Sequence, residues 1–211
     1  MKIIDLTQKL EATMPVFPGS KPPELESANT IEKDGFRQSK LTIYSHHGTH
    51  IDAPAHMQKE GKTIDQFSLD KYFGQGIVMD FSKDYVEYIT LDMIRDYEKH
   101  LKKAEFVLLK TGWSKYWGEE EYFGKFPVLT EEAAKLIASF NLKGIGVDAI
   151  SVDELSSTTF SKHHIFMSKE IIIIENLTNL DALEEKFWLS IMPLKTDNAD
   201  GSLVRAYAVI M

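Results

Sequence analysis

Four short, almost wholly apolar runs constrain the fold of this chain more strongly than any other feature of its sequence. They cover residues 77–81, 106–109, 144–148 and 171–174, and the segments between them are long enough to hold helices. Continuous apolar runs of this length are typical of strands that a parallel sheet buries on both faces. Because parallel strands need long crossover connections, which are usually helical, the pattern predicts an α/β fold with βαβ units.

Helix start signals occupy the gaps between the predicted strands. Thr90 and Thr130 are good N-cap residues, and the two glutamates after Thr130 favour the positive end of a helix. We therefore predict one helix over about 91–102 and a second helix that begins after Thr130. A third, short helical stretch is predicted over 161–168.

Additional strands are predicted at both ends of the chain. Residues 2–6 and 203–211 have a strand-like composition, and residues 38–46 alternate between apolar or small side chains and polar ones. Such alternation indicates a strand with one buried face. No linker or repeat interrupts the chain, so we predict a single domain over 1–211. Its class is α/β, with a mixed sheet core, βαβ units and additional antiparallel strands.

The amino-acid composition excludes several classes of site and partner. The 211 residues include no cysteine, which rules out disulfides and zinc–thiolate sites and leaves His, Asp, Glu and water as metal ligands. The net charge is −8 and no Lys/Arg cluster is dense, so we expect no nucleic-acid partner. No apolar stretch approaches the roughly 20 residues that cross a bilayer, and the N-terminus lacks the apolar region of a secretory signal. We therefore expect a cytoplasmic protein with no membrane partner.

Four of the seven histidines lie within the eleven residues from His46 to His56, beside Asp52. All of these residues except His47 have even numbers, so an extended strand would place their side chains on one side. At about 3.3 Å per residue, however, His46 and His50 would lie roughly 13 Å apart, too far to share a metal ion. The chain must therefore bend between them, and Gly48 is the residue that permits the bend.

A helix would also bring the first and third of these histidines together, but the Gly, Thr, Ile and Pro residues of the segment favour a strand that turns sharply. In that arrangement two imidazoles and the Asp52 carboxylate form a set of metal ligands, whereas His47 faces away. His56 remains available as an acid/base, because an imidazole titrates near pH 6.5. The alternative is that these histidines are structural or solvated, as single histidines usually are.

The pattern His46-x-Gly48-Thr49-His50-x-Asp52-x-Pro54-x-His56 resembles the signature of the cyclase-like metal-dependent hydrolases. That family includes bacterial kynurenine formamidase and isatin hydrolase. The segments 16–19, 151–153, 163–164 and 174–177 resemble its other sequence blocks, so the resemblance covers nearly the whole chain. It implies a swivelling β/β/α-like arrangement of the sheet and helices.

The resemblance implies a role for each matching residue. His46, His50 and Asp52 would hold one metal ion, and Asp52 would also reach a second. A later histidine would bind the second ion, and a glutamate about twelve residues beyond it would reach both. Those roles fall to His163, with its neighbour His164 as the competitor, and to Glu175. His56 would be a catalytic acid/base that is not a ligand, and Phe17 would line the substrate pocket. The cofactors that the resemblance implies are two divalent metal ions, zinc or manganese.

Other acidic residues are candidates from the sequence itself. Glu175 closes an isoleucine-rich run, and the carboxyl end of a buried strand is where α/β folds place their sites. A buried carboxylate also needs a partner, which a metal ion provides. Asp148 and Asp153 follow another predicted strand and are candidates for orienting a histidine ligand.

The predicted activity is hydrolysis of a small amide, with N-formylkynurenine as the first candidate substrate. The chain has no cysteine and no serine-nucleophile motif, so metal ions must supply the nucleophile. Opening of a cyclic amide, as in isatin hydrolase, is the alternative activity. A non-catalytic metal-binding protein and a structural metal site are alternatives from other classes.

By resemblance we expect a homodimer or homotetramer. Aromatic residues in 112–127 would form either a substrate loop or a subunit contact; they are Trp113, Tyr116, Trp117, Tyr122 and Phe123.

Overall fold

A nine-stranded mixed sheet forms the centre of the structure, a computed structural model that describes residues 1–211. In chain order, the strands are β1 (Lys2–Asp5), β2 (Glu24–Asn29), β3 (Gln38–Thr42), β4 (His50–Asp52), β5 (Phe73–Asp80), β6 (Tyr88–Ile89), β7 (Phe106–Lys110), β8 (Val128–Leu129), β9 (Gly144–Val147), β10 (Ile172–Glu175), β11 (Lys186–Ser190), β12 (Gly201–Leu203) and β13 (Tyr207–Ile210). The helices are α1 (Ile31–Asp34), α2 (Leu91–Arg95), α3 (Glu98–Leu101), α4 (Glu131–Ala138) and α5 (Ser161–Met167). The large sheet has the order β1-β13-β11-β5-β7-β9-β10-β4-β12, and β2-β3 and β6-β8 form two small sheets.

The four apolar runs form the parallel centre of the large sheet. Strands β5, β7, β9 and β10 are neighbours and run parallel to one another. Helices occupy the connections between them, as the βαβ prediction requires. Antiparallel strands flank this centre on both sides, with β11, β13 and β1 on one side and β4 and β12 on the other. The predicted α/β class with a mixed sheet is therefore confirmed.

Two hydrophobic cores lie on the two faces of the sheet, because successive side chains of a strand point to opposite faces. Val107 and Leu109 belong to the core that helices α2 to α5 cover. Phe106 and Leu108 belong to the other core, which the antiparallel strands close over with residues such as Ile51 and Leu189. Burial on both faces explains why the central strands are apolar throughout rather than alternating.

The helices agree with the sequence prediction in position but not always in length. Helix α4 begins after Thr130, whose side chain accepts a hydrogen bond from the backbone N–H of Ala133. The helix predicted over 91–102 is instead divided into α2 and α3, because Tyr97 has φ −96° and ψ −2°, outside regular α-helix geometry. Thr90 precedes α2 without a side-chain cap bond, contrary to prediction. None of the helices has the length and apolar character needed to cross a membrane.

Two predicted strands differ in extent from the observed ones. The strand predicted over 38–46 stops at Thr42, and β3 pairs only with β2 in a hairpin outside the large sheet. Its alternating pattern does not mark a buried face, because Leu41 and Ile43 are both exposed. The segment predicted over 203–211 is divided between β12 and β13. We call residues 24–44, which contain the β2-β3 hairpin, the hairpin arm.

Candidate metal centre

Pairing between β10 and β4 brings the first acidic and imidazole groups together. The two strands are antiparallel, with Glu175 opposite His50 and Ile173 opposite Asp52. His50 and Asp52 are two residues apart on β4, so they share one face of the strand. Ile51, between them, points into the core and is fully buried. Two ligands from one strand and a third from its neighbour therefore face the same space.

A turn at Gly48 brings His46 to the same place. Gly48 has φ +57°, a left-handed conformation that side chains other than glycine rarely adopt. The turn folds the chain back so that His46 Nδ1 lies 2.7 Å from Asp52 Oδ1. The predicted bend is confirmed, but His46 lies in the turn rather than on a strand. His47 faces away as predicted, with Nε2 3.0 Å from the carbonyl oxygen of Lys21.

The first group of donor atoms comes from His46, His50 and Asp52, with Glu175 beside them. His50 Nε2 lies 3.1 Å from Asp52 Oδ1 and 3.4 Å from Glu175 Oε2. Ligand atoms of a tetrahedral zinc site, with bonds of about 2.1 Å, are about 3.4 Å apart. The spacing therefore suits a divalent cation held by imidazole and carboxylate ligands.

The second group of donor atoms comes from Asp52, His163 and Glu175. His163 Nε2 lies 3.6 Å from Asp52 Oδ2 and 3.5 Å from Glu175 Oε1. Asp52 and Glu175 thus offer one oxygen to each group. The Oδ2 atom of Asp52 is buried and has no hydrogen-bond partner, which is costly unless a cation satisfies it. His164 is exposed on α5, so the structure brings His163 and not His164 into the site.

Hydrogen bonds at the outer ring nitrogens orient two of these histidines. His163 Nδ1 lies 2.7 Å from Asp153 Oδ2, and His50 Nδ1 lies 2.8 Å from the carbonyl oxygen of Gly48. Both bonds leave Nε2 facing the donor groups, an arrangement common around protein-bound metals. Asp153 therefore orients a histidine as predicted. Asp148 does not, because its carboxylate accepts hydrogen bonds from Thr111 and Gly112 in the loop after β7.

The electrostatics of the site favour positive charge. Burial by itself lowers the pKa of His46 and His50, but Asp52 raises these values to about 9 and about 10. Burial likewise opposes protonation of His163, and hydrogen bonds, first of all to Asp153, raise its pKa to about 12. Burial raises the pKa of Asp52, yet His50 and His46 hold it well below its usual range. Protons compensate the buried carboxylates in the absence of a metal, and metal ions would replace those protons on binding.

His56 lies beside these groups without belonging to either. It ends a short 3₁₀ turn that begins at Pro54, directly after Ala53. Its ring centroid is 3.9 Å from that of His46, and its Nε2 atom makes no hydrogen bond within the protein. Burial lowers the pKa of His56, which keeps the ring neutral and able to accept a proton at neutral pH. This placement fits the predicted acid/base role.

Asp200 is a site residue that the sequence analysis missed. Its Oδ2 atom lies 2.9 Å from His46 Nε2 and 3.4 Å from His56 Nδ1, and Oδ1 accepts a hydrogen bond from Ser45 at 3.0 Å. The hydrogen bond to His46 lowers the pKa of Asp200 and keeps it ionised. The surrounding Ala-Asp-Gly sequence resembles an ordinary turn, so no local signal distinguishes this aspartate.

A cavity of about 300 Å³ opens over both donor groups. Phe17 lines it, as predicted, together with Val16, Ile150 and Phe160. These residues make one wall apolar, while the imidazoles and carboxylates make the other polar. Few, convergent polar groups in an apolar pocket are typical of small-molecule sites.

The aromatic residues of 112–127 do not line this cavity. Trp113, Trp117 and their neighbours instead pack around Tyr122 and Phe126 in a small core that includes Ile150 and contacts Phe17. Tyr122 is fully buried, and its hydroxyl donates to Asn176 Oδ1 at 2.8 Å. These side chains therefore do not contact the cavity directly but pack behind Phe17 and Ile150 of its lining, and a substrate loop or a subunit contact stays a prediction.

Comparisons with known proteins identify relatives that match most of the chain. The family model described as putative cyclase matches residues 4–154. Kynurenine formamidase of Bacillus cereus is 32% identical over 204 residues, which are 96% of this chain and 95% of that protein. The structure of isatin hydrolase A from Labrenzia aggregata bound to benzyl benzoate has a TM-score of 0.87 and 26% identity, covering 98% of this chain and 93% of that one. The structure of a predicted metal-dependent hydrolase from Bacillus stearothermophilus has a TM-score of 0.82 and 28% identity, covering 98% and 97%.

Proposed function

The chain belongs to the family described as putative cyclase, and from this premise we propose that it is a metal-dependent hydrolase of a small amide. One observation carries the proposal. Asp52 and Glu175 each offer one carboxylate oxygen to each of two donor groups, beside a cavity that His56 also lines. A closed structural metal site would have neither the shared carboxylates nor the open cavity.

The proposed substrate is an aryl formamide, with N-formylkynurenine, cleaved to kynurenine and formate, as the first candidate. The similarity to kynurenine formamidase over almost the whole chain supports this choice. An apolar wall that includes Phe17 and Phe160 suits an aromatic ring. The second candidate is a cyclic amide such as isatin, which the similarity to isatin hydrolase A supports.

The residues of the site fit two divalent cations. His46, His50, Asp52 and Glu175 would hold the first, and His163 with the second oxygens of Asp52 and Glu175 would hold the second. Imidazole and carboxylate ligands suit zinc or manganese. When bound, such cations lower the pKa of water toward neutrality and polarise the carbonyl group of a substrate.

His56 performs the proton transfers in this proposal. Its neutral ring accepts a proton from the attacking water and delivers it to the departing amide nitrogen. Without that proton the nitrogen would have to leave as an anion. The apolar wall formed by Phe17, Ile150 and Phe160 holds the substrate and excludes bulk water from the reacting carbonyl.

We also propose that the protein acts in the cytoplasm as a homodimer or homotetramer. The hairpin arm supports self-association. Leu25 and Leu41 lie directly opposite each other on one face of the arm and are exposed, as are Ile31 and Phe36 near its tip. A two-stranded hairpin by itself is marginally stable in water, so an apolar partner surface would stabilise it. Light scattering on the wild-type protein and Leu41→Asp tests this, and monomers for both would contradict it.

The catalytic proposal is tested by metal analysis followed by assays of N-formylkynurenine and isatin side by side. We expect two divalent ions per chain and hydrolysis of at least one amide. His56→Ala should keep both ions and lose about 10²- to 10⁴-fold in rate. His100→Ala is a matched control, because this exposed histidine pairs with Glu185 away from the site.

Each outcome of this experiment has a distinct meaning. A protein that binds no metal would refute the hydrolase proposal. Full activity of His56→Ala with metals bound would refute the acid/base role. Failure on both substrates with metals bound would exclude these two amides and leave the reaction class in place.

A further inference from the structure

The backbone of Asp200 is fixed directly beside the metal centre. Gly201, the next residue, pairs with Asp52 across strands β12 and β4. The carbonyl oxygen of Asp200 also accepts a hydrogen bond of 2.8 Å from the backbone N–H of Ala53. Pairing of β12 with β4 therefore fixes the backbone of Asp200, at the end of the loop that precedes β12, relative to Asp52.

One carboxylate oxygen of Asp200 meets two histidine rings. Oδ2 is 2.9 Å from His46 Nε2 and 3.4 Å from His56 Nδ1, and the planes of the two rings are tilted by 38° to each other. Oδ1 is held in place by the hydroxyl of Ser45, which donates to it at 3.0 Å. Asp200 is thus the only side chain that contacts both a ligand histidine and His56 through an anionic group.

Each histidine of the two donor groups has an oxygen at its outer nitrogen. For His50 it is the carbonyl of Gly48, and for His163 it is Asp153. For His46 the outer nitrogen is Nε2, since Nδ1 faces Asp52, and the oxygen is Asp200 Oδ2. Asp200 therefore completes a pattern in which an outer oxygen fixes the tautomer of every ligand histidine.

We propose that Asp200 is a positioning residue that holds His46 and His56 in the tautomers that metal binding and proton transfer require. This proposal rests on the proposed hydrolase function. With a cation bound, Asp200 would keep the one remaining proton of His46 on Nε2, which leaves Nδ1 to the cation. It also keeps a proton on Nδ1 of His56, which leaves Nε2 bare to accept a proton from water. A ring without this contact populates both tautomers and orientations.

Exposure separates this role from that of a metal ligand. The Asp200 side chain is 46% exposed, whereas the side chains of Asp52 and Glu175 are 1% and 7% exposed. Asp200 also contacts His46 at Nε2, the nitrogen opposite the Nδ1 atom that faces Asp52. A carboxylate in this position orients the rings from outside.

The test compares Asp200→Ala and Asp200→Asn with Asp197→Asn. Asp197 is an exposed carboxylate in the same loop whose side chain makes no hydrogen bond, so its variant is the matched control. Zinc binding to the metal-free protein is measured by calorimetry. Long-range ¹H–¹⁵N spectra of the imidazole rings report the tautomers, and steady-state assays separate kcat from KM.

For Asp200→Ala we expect two zinc ions still to bind. The ion that His46 helps to hold should bind with about 10- to 100-fold lower affinity. We expect mixed tautomers of His56 and a lower kcat with little change in KM. Asp200→Asn should restore part of each property, because its amide oxygen can accept one hydrogen bond. Asp197→Asn should match the wild-type protein.

Two results would overturn the proposal. Wild-type tautomers and zinc affinity in Asp200→Ala would show that the carboxylate positions nothing. Loss of one zinc ion from the stoichiometry would show that Asp200 is a ligand. The His56 spectrum needs neither substrate nor metal, so it tests the role of Asp200 even if the wild-type protein binds no zinc and the hydrolase proposal fails.

Discussion

Replacing His163 by alanine should remove one metal ion and leave the other. His163 Nε2 is the only nitrogen of the second donor group, at 3.6 Å from Asp52 Oδ2 and 3.5 Å from Glu175 Oε1. Without it, the group consists of two carboxylate oxygens from residues that the first ion also uses. We therefore expect about one bound ion per chain after dialysis instead of two.

The size of the effect follows from the number of ligands. Zinc bound by four protein ligands is stabilised by about 10–16 kcal/mol, or roughly 2.5–4 kcal/mol for each ligand. At 1.4 kcal/mol per tenfold change, loss of one ligand weakens the second site by about 10²- to 10³-fold. Competition with a chelator of known zinc affinity measures a change of this size directly.

His164→Ala is the control for this experiment, because the neighbouring side chain on α5 is exposed. It should bind two ions with wild-type affinity. His163→Gln tests whether side-chain volume alone matters, and it should lose the second ion as His163→Ala does. Two ions of unchanged affinity in His163→Ala, or loss of an ion in His164→Ala, would refute the assignment.

Three further predictions concern protons, packing and the cavity wall. The pKa values of His46, His50 and His163 are raised to about 9, 10 and 12, so zinc binding at pH 7 should release protons and tighten as pH rises toward 9. The stability that these protons give the metal-free protein is complete below the ordinary value of 6.5 and is lost in steps as pH rises through about 9, 10 and 12. Calorimetry of zinc binding in buffers of different ionisation enthalpy would detect no proton release if this is wrong. Gly201→Ala would place a Cβ 2.6 Å from His46 Cε1 and should lower kcat about 10²-fold, whereas unchanged kinetics would mean that this ring can move freely. Phe17→Ala removes the apolar contacts of a half-buried side chain, which contribute about 1 kcal/mol to substrate binding. It should raise KM about fivefold with kcat retained, and steady-state assays of the aryl substrate check this.

The sequence determined the class of fold and half of the candidate metal centre. Strands buried on both faces must be apolar throughout, so the runs at 106–109 and 171–174 identified the parallel centre of the sheet. The bend between His46 and His50 was predictable because their ligand roles require convergence and a left-handed turn favours glycine. Both inferences depend on backbone and ligand chemistry within a few residues.

Tertiary structure decided between alternatives that are locally equivalent. His163 and His164 are adjacent on a helix and point about 100° apart, so their sequence contexts are alike. Packing of α5 against β10 and α4 turns the first toward Asp52 and the second toward solvent. The alternating pattern of 38–46 was misleading for a related reason, because alternation shows which side chains share a face but not whether anything covers that face.

Asp200 depended entirely on tertiary structure. It is far from His46 in the chain and follows no buried strand or motif. Only the pairing of β12 with β4 brings its carboxylate to the two histidines. Short-range chemistry therefore determined which residues of the motif can serve as metal ligands, whereas strand pairing over long sequence separations decided which carboxylate lies beside them.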